Sequence, residues 1–174
     1  MKTLSFDPGA AKMGWACLES EETILPPIYH DSGLIELPRG DDEAFQTYKL
    51  RVIHYWAHKG RELLEKFKPD EVVSEIVPAM GFERSVQNQL AQAAITSVQS
   101  TAFSVGLSVE QIGATTVKKA IGGNGHATKA TVRNGVVKLI PELRPMVKQW
   151  TKVFDEPDSI AVGLCHLGYR SDIL

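Results

Sequence analysis

The sequence predicts an α/β domain in which a three-strand antiparallel meander is extended by parallel strands. Three observations carry this expectation. Three apolar runs joined by short loops open the chain, within residues 4–37. Each later strand signal, at 71–77 and 109–112, follows a long stretch of helical periodicity. No internal repeat or low-complexity segment interrupts the alternation. A strand that returns after an intervening helix lies parallel to its neighbour through a right-handed crossover, so the fourth strand is expected beside the first. At 174 residues the chain suits one domain, 1–174, large enough to bury a good core.

The first strand, Leu4-Ser5-Phe6-Asp7, ends where Pro8-Gly9 turns the chain back, and Met13 to Leu18 follows close enough for an antiparallel hairpin. An acidic, proline-bearing loop at 19–27 leads to a third strand at 29–37, closed by Pro38-Arg39-Gly40. Phe45, Tyr48, Val52, Trp56, Leu63 and Phe67 then recur at helical spacings, which marks one buried face of a long helix. Asp41 or Asp42 is the expected N-cap, and Pro69 stops it. The fourth strand runs from Glu71 to Val77. A second helix is expected over 84–105, with Val86, Leu90, Ala93, Ala94, Ser97, Thr101 and Val105 on its inner face and Gly106 as its stop. After the strand at 109–112 come a short helix at 115–121, a glycine-rich loop and a helix at 128–139. Pro141 and Pro145 break the chain. A last helix follows Phe154-Asp155-Glu156-Pro157-Asp158, with Asp155 as N-cap and Pro157 in the first turn.

Composition excludes several classes. Hydrophobic residues make up 43% and charged residues 23%, with a formal net charge of −2. No global basic field marks the chain for nucleic acid, so any polyanion site must be a local cluster of lysine and arginine. The two cysteines, Cys17 and Cys165, sit in apolar runs without metal spacing and read as reduced core residues of a cytosolic protein. No apolar run approaches the ~20 residues that cross a bilayer, and no signal peptide is visible. The expected location is the cytoplasm. A Walker A element is absent, so no nucleotide cofactor is expected.

Four acids stand at unusual places. Asp7 ends the first strand. Glu75 interrupts an apolar strand, where an unpaired carboxylate costs several kcal/mol. Asp155 and Asp158, three apart at a helix start, can face one side. Each has an ordinary reading alone: a turn residue, an edge-strand glutamate, a cap. Together, on adjacent parallel strands and a helix end, they suit hard cations such as Mg²⁺ or Mn²⁺. Two such ions ~4 Å apart activate water and stabilise the departing oxygen of a phosphodiester. The loop Gly122-Gly123-Asn124-Gly125 is bracketed by Lys118, Lys119 and Lys129. It reads either as a phosphate-binding element or as a surface turn.

The motifs FDPGAAKMGWACLE, EVVSEIV, VKKAIGGNGHATKATV and DEPDSIAVGLCH resemble, in the right order and over nearly the whole chain, the RuvC-type Holliday-junction resolvases of the ribonuclease H-like superfamily. The resemblance implies a five-stranded mixed sheet flanked by helices. It implies a metal-binding catalytic tetrad at Asp7, Glu75, Asp155 and Asp158, and DNA-phosphate contacts at Lys118 and Lys129. It also implies a homodimer that nicks two like strands across a four-way DNA junction, with Mg²⁺ as the ion and Mn²⁺ substituting. Lys119, Phe82 and Arg84 are further candidates for contact with branched DNA. The family's aromatic wedge, three residues after the strand glutamate, is Pro78 here, and Phe82 lies just beyond. The acidic 19–43 region and the lack of a basic tail are departures that suit a phage-type or divergent member. Rival readings are a related nuclease for flaps, forks or RNA–DNA hybrids, and a non-catalytic junction binder. An actin-like ATPase would need a second phosphate loop.

Overall fold

The computed structural model of the chain describes residues 1–21, 26–77, 85–151 and 154–171. In order its elements are β1 (Lys2–Asp7), β2 (Lys12–Glu19), β3 (Ile28–Glu36), α1 (Phe45–Phe67), β4 (Glu71–Glu75), α2 (Ser85–Ser104), β5 (Ser108–Ile112), α3 (Ala114–Gly122), α4 (Lys129–Leu139), a 3₁₀ helix (Pro141–Thr151) and α5 (Asp155–His166). The five strands form one sheet in the order β3-β2-β1-β4-β5. The β1–β2 and β2–β3 pairs are antiparallel, and the β1–β4 and β4–β5 pairs are parallel. The meander and its parallel extension are thus as expected, with β1 at the centre.

Because side chains alternate across a strand, the sheet separates two cores. Leu4, Phe6, Met13, Trp15, Cys17 and Val72 face α1 and α2. Ala16, Leu18 and Val73 face α3, α4 and α5, which contribute Val117, Ile121, Val132, Val136, Ile160 and Leu164. Thr3, Ser5 and Asp7 share that second face, and Ser5 Oγ donates to the Ser159 carbonyl of α5 at 2.8 Å. A polar stripe down the central strand is therefore roofed by the last helix.

The aromatic stripe of α1 is core, as its spacing predicts: Tyr48, Val52, Trp56, Gly60, Leu63 and Leu64 are buried. Its start differs. The helix begins at Phe45 with Ala44 at the cap and no side-chain capping bond, so Asp41 and Asp42 lie too early to reach its first amides. On α2 the expected Leu90, Ala94 and Ser97 are buried, together with Ala91, Ile95, Val98 and Ala102, while Val86 and Val105 are exposed. The contact with α1 selects this face, because a Cβ on Gly60 would stand 3.2 Å from Val98. Val105 falls beyond the helix, ahead of Gly106 with its positive φ of 84°. Residues 141–151, expected as a break, wind as a 3₁₀ helix that contains Pro145. Proline's fixed φ near −65° lies within the 3₁₀ range. Cys17 is buried and Cys165 half-buried, both as free thiols. Among the described residues no helix is long and apolar enough to cross a membrane.

Candidate active site

The sheet brings the strand acids together. Phe6 pairs with Ser74 in parallel register, so Asp7 and Glu75, the last residues of β1 and β4, end side by side on the face covered by α5. The first turn of α5 carries Asp155, Glu156 and Asp158. Two glycines let that helix sit close. A Cβ on Gly14, the β2 partner of Asp7, would lie 1.9 Å from the Asp155 carbonyl oxygen. A Cβ on Gly163 would lie 2.7 Å from Ser5 Oγ. At Gly14 no other residue fits without moving the helix start, and at Gly163 the Ser5 and Leu18 side chains would have to give way.

Asp7, Glu75 and Asp158 line one cavity of about 140 Å³ with Lys118, Lys129, Ala114, Val117 and Val132. Lys129 Nζ donates to Asp158 Oδ2 at 2.6 Å. Asp155 stands outside this lining but within electrostatic reach of both Asp7 and Asp158. A larger hollow of about 520 Å³ lies between the ends of α1 and α2. Its one acid, Glu65, has Arg61 and Lys68 beside it in that lining. Charge, not volume, singles out the smaller site.

The electrostatics are those of crowded acids. Burial holds the Asp7 carboxyl well above its ordinary value, and Asp158, Glu75 and Asp155 push it further up against the pull of Lys129. Burial and Asp158 raise Glu75, opposed by Lys129 and Lys118. Asp158 is raised by burial and Asp155, although the Lys129 hydrogen bond works against it. For Lys129 burial acts downward, and the bond to Asp158 with the field of Asp7 and Asp155 outweighs it, so its ammonium is held more firmly. Like charges forced together favour protons or a cation.

Asp155 is the first residue of α5 and not its cap. Phe154 holds that position, without a side-chain capping bond. The remaining acid of the turn, Glu156, faces elsewhere. It accepts from Ser32 Oγ at 2.6 Å and from Trp150 Nε1 at 3.0 Å, tying the helix start to β3 and to the 3₁₀ helix. Its role and that of Gly14 went unseen in the sequence, where the partners are remote. The only hint was a glycine inside a strand, which often marks a close backbone approach. Lys119 is exposed and does not line the cavity. Phe82, Arg84 and the Pro78 wedge position lie outside the described residues.

The donor set fits a hard divalent cation: carboxylate oxygens only, from rigid element ends, with mutual repulsion that a cation relieves. As placed, no group of three His, Cys, Asp or Glu side chains among the described residues stands at ligand spacing, and Lys129 holds one oxygen of Asp158. A cation would displace that lysine contact and draw the carboxylates inward.

A mixed sheet whose central strand ends in an acid, with further acids supplied by the adjacent parallel strand and the last helix, defines a ribonuclease H-like protein. Residues 3–166 match the family Crossover junction endodeoxyribonuclease RuvC, and the chain belongs to it. The RuvC of Rhodopseudomonas palustris is 29% identical over 98% of this chain and 88% of its own length. That of Syntrophomonas wolfei is 29% identical over 98% and 91%. Among solved structures, Thermus thermophilus RuvC in complex with a Holliday-junction substrate superposes with a TM-score of 0.73 at 22% identity, covering 96% of this chain and 93% of that one. The fowlpox virus resolvase, solved with its Holliday-junction DNA, gives 0.63 at 16% identity over 95% and 98%.

Proposed function

We propose that this chain is a divalent-metal-dependent, structure-specific endonuclease that resolves four-way DNA junctions by paired nicks. The observation that carries the reading is the convergence of three carboxylates and two lysines on one cavity in a chain of the RuvC family. Asp7, Glu75, Asp155 and Asp158 are the residues that would hold the ion, Mg²⁺ with Mn²⁺ as a substitute. When bound it supplies an activated water and neutralises charge on the scissile phosphate.

The chain's own groups do the rest. Lys118 and Lys129 face the acids across the cavity and attract a backbone phosphate, which competes with Asp158 for the Lys129 ammonium. Lys119, exposed beside them, adds to the local positive field that a chain of net charge −2 otherwise lacks. The packing of α5 on Gly14 and Gly163 fixes Asp155 and Asp158 against the strand ends. Preorganised acids on rigid elements are what a transition state with developing negative charge requires.

A four-way junction has two-fold symmetry, and a C2 homodimer is the simplest assembly that presents one site to each cut strand. Small residues of α2 are used inside the subunit: Ala91, Ala94 and Ala102 are buried. The exposed Val86 and Phe103 of α2, with Val105 just after it, are what this region offers a second copy.

The test is cleavage of synthetic four-way, three-way, flap and RNA–DNA hybrid substrates with and without Mg²⁺, with cuts mapped to the nucleotide. Symmetric paired nicks in the four-way junction, dependent on the ion, are expected. Single unpaired nicks confined to flaps or forks would replace this reading with that of a related nuclease. Junction binding without cleavage in either metal would leave a non-catalytic binder.

A further inference from the structure

Outside the acid cluster, one cation of the described molecule is held in an unusual way. Arg133 lies one turn after Lys129 on α4, so the two share a helix face. Both stand against the ring of Phe154, with Lys129 Nζ 5.7 Å and Arg133 Cζ 6.0 Å from its centroid. Phe154 is the residue immediately before Asp155 at the start of α5. The Nε of Arg133 is buried and makes no hydrogen bond, and among the described residues no carboxylate pairs with the guanidinium. Lys129 by contrast is committed to Asp158.

A guanidinium in the protein's interior edge is ordinarily anchored by a carboxylate, because burying an unpaired donor costs about 1–3 kcal/mol. Here an aromatic ring takes that place, which braces the side chain while leaving its outer donors free. Four residues along a helix span about 6 Å, so Arg133 lies one turn beyond the cavity-lining Lys129 on the same helix face. Arginine's planar fork binds phosphate bidentately. None of the four acids competes for it as Asp158 competes for Lys129.

We infer that Arg133, braced by Phe154, is a further DNA-binding residue that contacts a backbone phosphate flanking the one at the acid cluster. The inference rests on the nuclease reading for its ligand, and it adds a contact which that reading does not contain. Arg133 sets where the strand lies relative to Asp155 and Asp158 rather than taking part in the chemistry. Phe154 is its positioning residue and couples that grip to the start of α5.

The experiment is equilibrium binding of the full chain to a fluorescent four-way junction in EDTA, over a series of salt concentrations. Wild type, R133A, R133K, F154L and K118A are compared, each with its melting temperature. R133A is expected to lower the slope of log K against log salt by about 0.9, the value for one lost phosphate contact, with little change in melting temperature. R133K keeps the charge and the slope but binds more weakly, since the fork and the stack are gone. F154L weakens binding in the wild-type background and has no further effect in R133A. An unchanged slope in R133A overturns the inference, as does a fall in melting temperature with the slope intact, which would make Arg133 a packing residue. Wild type that binds junctions in EDTA but does not cut them when Mg²⁺ or Mn²⁺ is supplied overturns the nuclease reading alone, and the slope still decides Arg133. Wild type that binds no DNA overturns both.

Discussion

Strand β4 begins and ends with a glutamate, and the two have opposite surroundings although the same three elements build both. At its start Glu71 is buried and satisfied. Glu71 Oε1 accepts from Thr3 Oγ1 of β1 at 2.7 Å and stands 2.6 Å from His166 Nε2 at the end of α5. At its end Glu75 stands beside Asp7 of β1 and the first turn of α5, where burial and the Asp158 carboxylate raise its pKa and Lys129 and Lys118 relieve it. One end of the β1–β4–α5 layer is thus a completed hydrogen-bonded joint, and the other a set of charges held together against repulsion. A buried acid with its own partners is structure. A buried acid whose neighbours are other acids is a site awaiting a ligand.

The largest expected effect breaks the second end. Glu75→Gln keeps the shape and removes one ligand charge. Junction cleavage should fall by about 10²–10³-fold or more, the range for losing one electrostatic stabiliser of a transition state. Junction affinity in the absence of metal should hold or rise slightly, since a negative charge near the phosphate is gone. Cleavage at the wild-type rate would remove Glu75 from the site.

The matching change at the first end should do the reverse. Glu71→Ala leaves the Thr3 hydroxyl and the His166 ring without their partner in a buried place, at a cost of about 1–3 kcal/mol. Urea denaturation should show a lower midpoint, while the folded fraction cuts junctions at the wild-type rate per molecule. A large loss of cleavage with unchanged stability would mean that Glu71 acts on the distant acids, and the contrast between the two ends would fail.

These two ends also show what a sequence reveals. Asp7 and Glu75 are legible because each interrupts or ends an apolar strand, a local violation that asks for an explanation. Glu71 breaks no local rule. It looks like one more charged residue at a strand start, and its partners are 68 and 95 residues away. The order of elements and the α1 stripe were legible because aromatic and branched side chains repeat at the helical period. The inner face of α2 was legible only in part: Leu90, Ala94 and Ser97 lie on it, but alanines share it with Ile95 and Val98, and the apolar Val86 and Val105 are exposed. Both expected caps failed for a shared reason. A cap is a matter of which single residue leaves helical geometry, and aspartates adjacent to a helix start satisfy the pattern equally well at several offsets.

A third test joins the two ends through the helix itself. Gly14→Ala places a methyl 1.9 Å from the Asp155 carbonyl, so the start of α5 must shift. Overpacking of this kind costs about 1–3 kcal/mol, and cleavage should fall by more than the stability loss explains because the acids move with the helix. Gly163→Ala, mid-helix against Ser5 and Leu18, should cost stability with a smaller effect on rate. Equal effects on rate from both would show that α5 moves as one body and that its two ends are not independent.

The smallest effect has the opposite sign and isolates the repulsion. Burial and three neighbouring acids raise the folded-state pKa of Asp7 above its ordinary 3.8. The folded protein therefore binds this proton more tightly than the unfolded chain. Stability must then fall as pH rises from the ordinary carboxylate range through the raised pKa, and it stays reduced above it. Asp7→Asn removes that loss. In EDTA at neutral pH the variant should melt above wild type, and the difference should shrink as pH is lowered toward the unfolded value, where wild-type Asp7 is protonated in both states. Adding Mg²⁺ should raise the wild-type melting temperature, as any ligand of the folded state does, and raise that of Asp7→Asn less. A variant that melts below wild type in EDTA at neutral pH would show that Asp7 is held by favourable contacts, as Glu71 is, and that the two ends of β4 do not differ in kind.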